Sequence, residues 1–150
     1  MAGFVERMRN GDIKSLIARN GIFVAFVAFM IAFGIGSDSH VCRDPAEELR
    51  LLEYGQRLTR RARNVAASEL DPSTGGSLWR AAVAGGAKAC GRPIAGIEVG
   101  QRADLVVLNG RHPDMTGRTG DAVTDTVVFS GGNGFVRDVM VGGEWTVKDG

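Results

Sequence analysis

Apolar and polar residues change rhythm twice along the chain, and each change marks a different kind of element. Residues 21–36, GIFVAFVAFMIAFGIG, run for sixteen positions without a charge. Ahead of them residues 12–20 are mixed and weakly amphipathic, which suits a short surface helix. The polar stretch 37–43 reads as a loop. Asp44-Pro45 then opens a helix: Asp44 can cap, Pro45 fits the first turn, and Glu47 and Glu48 suit the positive end of the dipole. Leu51, Tyr54, Leu58, Ala62 and Val65 recur at spacings of three and four, predicting one apolar face through about residue 67. Residues 71–76, DPSTGG, are a loop, and a second helix is expected over 77–90, stopped by Gly91 with Pro93 beyond. After that the period becomes two. Short β-branched runs at 103–109, 123–130, 135–141 and 144–147 predict a small antiparallel β module, with Gly142-Gly143 as a two-residue hairpin turn.

The apolar run changes the picture of the N-terminus. Sixteen residues fall short of the roughly 20 that a membrane span needs. Arg7, Arg9, Lys14 and Arg19 nevertheless outnumber Glu6 and Asp12 ahead of it, a basic flank of the positive-inside kind. Three readings stay open: a membrane anchor or uncleaved signal, a buried segment of a soluble fold, and a secretory signal cut near Gly36. If the chain is soluble, the stripe of Phe23, Phe26, Phe29 and Phe33 must be buried or drive self-association.

Composition excludes more than it suggests. Eighteen Lys+Arg against 17 Asp+Glu give a net charge of +1, so no overall field recruits nucleic acid. The arginines of the first helix, Arg50, Arg57, Arg60, Arg61 and Arg63, have no interleaved base-stacking aromatics and read as a solvated face. With 150 residues the chain is shorter than the roughly 250 of a complete (β/α)8 barrel. Cys42 and Cys90, the two cysteines, are read as reduced thiols. Two histidines, His40 and His112, are too few for a zinc cage of several histidines. The glycine pairs Gly85-Gly86, Gly131-Gly132 and Gly142-Gly143 lack the Lys-Ser/Thr of a phosphate loop and read as turns.

Candidate chemistry gathers where the apolar run ends. FGIGSDSH places an acid, Asp38, among small residues just past a strand-like segment, with His40 two positions on. A carboxylate at a strand tip can ligate a metal and move a proton from metal-bound water. On local pattern alone a loop Asp is more often a cap or turn residue.

FGIGSDSH followed by RDPAEELRLLEYGQRLTRRARNVAA resembles the end of the barrel in the N-formimino-L-glutamate deiminases of the amidohydrolase superfamily. SLWRAAVAGGAKACGRPIAGIEVGQRADLVVLN resembles the last barrel helix and the return into the β-sandwich domain of that superfamily, and VRDVMVGGEWTVKDG its closing hairpin. The resemblance runs from about residue 33 to 150. It implies an α/β plus β fold: the truncated end of a (β/α)8 metal-dependent hydrolase barrel, then part of a small β-sandwich, behind an apolar N-terminal helix. The implied organisation is a basic-flanked apolar segment at 1–36, the last barrel strand end and helices at 37–100, and a partial sandwich at 101–150. It further implies a small-molecule substrate, zinc as cofactor and a cytoplasmic setting. The reaction would hydrolyse a carbon–nitrogen bond, taking formiminoglutamate and water to formylglutamate and ammonia in histidine breakdown. Asp38 matches the acid that ends the eighth strand, binds zinc and moves protons. His40 belongs to the same motif and would orient substrate or Asp38.

The departures are as informative. The family's H-x-H pair and mid-barrel histidines have no counterpart, nor do the first strands of the sandwich, leaving residues 105–108 short of a partner. Residues before Phe33 do not look like this family; IKSLIARNGIFVAFVAFMIAF resembles the start of a sugar-transporter permease. A junction near residues 32–34 is therefore expected, and the chain by itself is expected not to turn over. The alternative is a membrane-anchored, non-enzymatic β module.

Overall fold

The computed structural model describes residues 34–36, 41–94 and 96–150. The surface helix expected at 12–20, most of the apolar run and the permease-like stretch lie outside the described residues. No helix among the described residues is long and apolar enough to cross a membrane.

Helix α1, Pro45–Arg60, begins where its capping signals place it: Asp44 sits in an extended conformation and its side chain accepts from the Ala46 N–H. It ends seven residues before the expected position 67, because Arg61 turns left-handed (φ 52°) and caps the helix. The buried face also differs from the one expected. Ala46, Leu49 and Glu53 point inward, whereas Leu51, Tyr54 and Leu58 are exposed by 48%, 40% and 82%. The cause is Glu53, which no hydrophobic pattern would place inside. Its carboxylate accepts from the N–H groups of Val65 (2.8 Å) and Ala66 (3.0 Å) and from Arg57 Nε (2.8 Å). It thereby folds the segment after the helix back onto it.

Helix α2, Thr74–Cys90, starts three residues earlier than expected, because Ser73 caps it by accepting from Gly76 N–H. Asp125 reinforces the same end: its Oδ1 accepts from Gly75 N–H at 2.6 Å and from Ser73 Oγ at 3.1 Å. Gly91 (φ 61°) ends the helix as expected. The Gly85-Gly86 pair, expected to be a turn, lies inside α2.

The expected strand at 123–130 is helical. Helix α3, Asp121–Thr126, passes directly into a wide π turn at Val127–Gly131 and a 3-10 turn at Gly132–Phe135. Burial overrides β-propensity here. Val127 and Val128 are buried, Val128 with Leu49 and Leu78 between α1 and α2. Arg50 Nε also holds the Val128 carbonyl at 2.8 Å.

The other three strands form where the alternation places them, within a residue or two. Strands β1 (Leu105–Leu108), β2 (Val136–Val141) and β3 (Glu144–Val147) make an antiparallel sheet in the order β1-β2-β3. β1 pairs on one side with β2, with Leu105 opposite Met140 and Val106 opposite Val139. Gly142 (φ 60°) and Gly143 (φ 89°) make the two-residue β2–β3 turn, both needing the left-handed backbone. Arg137 Nη2 meets Asp138 Oδ2 at 2.7 Å; this hydrogen bond holds the Asp138 carboxyl below its ordinary pKa.

Among the described residues the core is two clusters. Leu49, Leu78, Ala82 and Val128 form one, with Ile35 packed against it. Ala46, Met115, Val127 and Phe135 form the other, and Trp79 touches both.

The helical glycines of α2 give opposite expectations. A Cβ on Gly86 would meet nothing within 4 Å, so Gly86→Ala should stabilise the fold by about 0.5–1 kcal/mol. A Cβ on Gly75 would sit 2.8 Å from Asp125 Cα and 2.9 Å from its Oδ1. Gly75→Ala should therefore cost about 1–3 kcal/mol despite its better helix propensity. Paired thermal melts of the two variants check this, and the same sign of shift in both would refute it.

Candidate functional site

The sequence places the candidate chemistry on Asp38 and His40, and both lie outside the described residues. What the structure describes is the two flanks. On one side Ile35 packs against the first core cluster, and Gly34 runs close to α2: a Cβ there would stand 3.3 Å from Gly86 Cα. On the other side, residues 41–44 lead into α1, where Asp44 has two tasks. Its Oδ1 accepts from Ala46 N–H at 2.9 Å and its Oδ2 from Asn133 N–H at 3.2 Å, tying the start of α1 to the Gly132–Phe135 turn. The left-handed Gly132 (φ 56°) lies against that carboxylate so closely that any Cβ would strike it. Ile35, Gly36, Arg43, Asp44, Pro45 and Glu48 line a small cavity of about 90 Å³ between these flanks.

Neither cysteine is in a disulfide. Cys42 Sγ donates to Glu47 Oε2 at 2.8 Å, and this hydrogen bond raises the thiol's pKa. The thiol thus stays protonated at neutral pH, unsuited to be a thiolate ligand or nucleophile. We expect Glu47→Ala to lower that pKa and speed labelling of Cys42 by a thiol reagent severalfold at neutral pH, measured in a Cys90→Ser background. An unchanged rate would show that the Glu47 bond does not govern the thiol.

Among the described residues, no group of three or more His, Cys, Asp or Glu side chains could hold a metal ion. His112 is engaged elsewhere: its Nδ1 accepts from Asp114 N–H at 3.3 Å, and its ring meets Phe135 edge-on at 4.7 Å. Three features escaped the sequence reading: the buried carboxylate of Glu53, the Ser73–Asp125 cap of α2, and a larger groove of about 670 Å³ beside β1. Serine is a favoured helix N-cap, so Ser73 could have signalled the cap. The other two depend on contacts between distant segments.

The described framework is a helical pair joined to a short antiparallel sheet. Residues 12–146 match the amidohydrolase family, and the chain belongs to it. It is 51% identical over 133 residues to the formimidoylglutamate deiminase of Pseudomonas aeruginosa, covering 87% of this chain and 29% of that relative. It also superposes on the crystal structure of an amidohydrolase from Brucella melitensis with a TM-score of 0.70 and 44% identity, over 79% of this chain and 25% of that one. The chain therefore spans less than a third of the length of the relatives it matches. The family match begins at residue 12, so it takes in residues 12–32, which the sequence reading had set outside the family. None of these comparisons supports the permease resemblance or a junction near residues 32–34.

Proposed function

We propose that this chain is the C-terminal part of a metal-dependent amidohydrolase of the formimidoylglutamate deiminase type, acting on a small amidine substrate in the cytoplasm. The reaction is the hydrolysis of N-formimino-L-glutamate to N-formyl-L-glutamate and ammonia, a step of histidine degradation. The observation that carries the proposal is the 51% identity over 133 residues to a formimidoylglutamate deiminase. In this reading residues 37–100 are the last barrel strand end and its helices, and 101–150 part of a β-sandwich. Asp38 is the proton-moving carboxylate and His40 orients it or the substrate. Residues 34–36, held against α2, and residues 41–44, held by the Asp44 bonds, flank Asp38 and His40 in the sequence.

Zinc is the metal that the reading implies, with Asp38 as a ligand. The described residues do not assemble a site for it, and no step is drawn through it. One carboxylate and one histidine fall short of the three protein ligands of catalytic zinc sites. The chain by itself is therefore expected to release no ammonia from formiminoglutamate, with or without added zinc. A coupled ammonia assay alongside a zinc titration tests this; turnover with near-stoichiometric zinc would overturn it.

A further inference from the structure

Glycine directly follows asparagine at 10–11, 20–21, 109–110 and 133–134, and the last two pairs lie among the described residues. An asparagine carboxamide carbon is an electrophile within reach of the next backbone nitrogen, and glycine there puts no Cβ in the way. The two described pairs are held differently. Asn109 Oδ1 accepts from Arg111 N–H at 3.1 Å, which folds the carboxamide over the intervening peptide and brings Cγ toward Gly110 N. Gly110 is exposed, a Cβ on it would meet nothing within 4 Å, and among the described residues its N–H makes no backbone hydrogen bond. The Arg111 N–H already points at the oxygen on which negative charge grows during attack, as a donor of an oxyanion hole does. Asn133-Gly134 instead lies inside the 3-10 turn Gly132–Phe135. There Asn133 N–H donates to Asp44 Oδ2 and its carbonyl accepts from Val136 N–H, so ring closure on Gly134 N requires the turn to open.

We infer that Asn109 is a site of self-modification, where Gly110 N attacks Asn109 Cγ and the chain converts with time to aspartyl and isoaspartyl forms. The N–Cγ bond forms as the Gly110 amide gives its proton to water. The Cγ–Nδ2 bond then breaks, and the nitrogen takes up a proton and leaves as ammonia. Water adds to either carbonyl of the resulting succinimide: one opening gives aspartate, the other an isoaspartate whose main chain is a methylene longer. Water is the only other reactant. The position gives the change a structural consequence. Asn109 N–H donates to the Phe135 carbonyl at 2.8 Å, and the Asn109 carbonyl accepts from His112 N–H at 3.0 Å. The extra methylene falls between these two bonds and loosens the turn that sets the His112 ring edge-on to Phe135. The inference concerns the polypeptide itself and does not require the deiminase reading to hold.

The experiment ages the purified chain in mildly alkaline buffer made with heavy-oxygen water. Peptides are then mapped by electron-transfer mass spectrometry, which separates aspartate from isoaspartate. Asn109 should convert at least about tenfold faster than Asn133, giving both products with heavy oxygen incorporated. Gly110→Ala, at a position without a positive φ and with open space around it, should fold normally and slow the conversion at least about tenfold by crowding the attacking nitrogen. Arg111→Pro, which removes the N–H donor, should slow it severalfold, whereas Arg111→Ala, which keeps that donor, should leave the rate unchanged. Circular dichroism verifies that the variants fold. Conversion of Asn133 ahead of Asn109 overturns the inference, as does aspartate without isoaspartate or a rate indifferent to Gly110→Ala or to Arg111→Pro. The ammonia from Asn109 appears with or without formiminoglutamate and ends when Asn109 is consumed, which separates it from turnover.

Discussion

Replacing Phe135 by alanine should cost about 3–5 kcal/mol, the range for a fully buried phenylalanine. Phe135 is completely buried and sits with Ala46, Met115 and Val127 in the second core cluster. Its ring also lies so close to Gly131 that a Cβ there would strike it. Neighbouring backbone is fixed as well, because the Phe135 carbonyl accepts from Asn109 N–H at 2.8 Å and ties the end of β1 to the start of β2. The walls of the resulting cavity therefore cannot readily collapse, and the cost should fall at the upper part of the range. For a chain of this size the melting temperature should drop by roughly 10–15 °C. Phe135→Leu, which fills most of the volume, should recover more than half of the loss. Urea titration of the three proteins measures this, and a loss under about 1 kcal/mol for the alanine variant would mean that the cluster is not a rigid core.

Glu53→Ala should be nearly as damaging, at about 2–4 kcal/mol, for a different reason. The carboxylate is fully buried and serves three donors at once, so its removal orphans the Val65 and Ala66 N–H groups and releases Arg57. Arg57 keeps part of its side chain in water, which limits the cost of losing its partner. Glu53→Gln keeps one acceptor oxygen but turns an amide NH2 toward the remaining donors, and should fall between wild type and alanine. The damage should be local as well as global. Arg60, Arg61 and Arg63 lie in the segment that Glu53 holds, so limited trypsin digestion should cut the alanine variant there first. Wild-type stability with an unchanged digestion pattern would refute the anchoring role.

The sequence was legible wherever a signal is local. Asp44-Pro45 starts α1, Gly91 ends α2 and Gly142-Gly143 turns β2 into β3, because capping and positive φ are properties of one or two residues. The motif around LLEYGQRL and GQRADLVVLN was also readable, and the family match bears out the membership it pointed to. The candidate acid Asp38 was found by that resemblance, and only the anchoring of its flanks is described.

What sequence could not decide is which apolar residues face inward and which β-branched run stays helical. Leu51, Tyr54 and Leu58 make a regular stripe that remains exposed, since Glu53 on another face gains two backbone donors that exist only once residues 65–66 fold back. The run TDTVVFS has the composition of a strand, yet Val128 gains more by filling the gap between α1 and α2 than by joining a sheet. Propensity is worth a few tenths of a kcal/mol per residue, and full burial of one valine about 1.5 kcal/mol or more, so contacts between distant segments prevail over local preference.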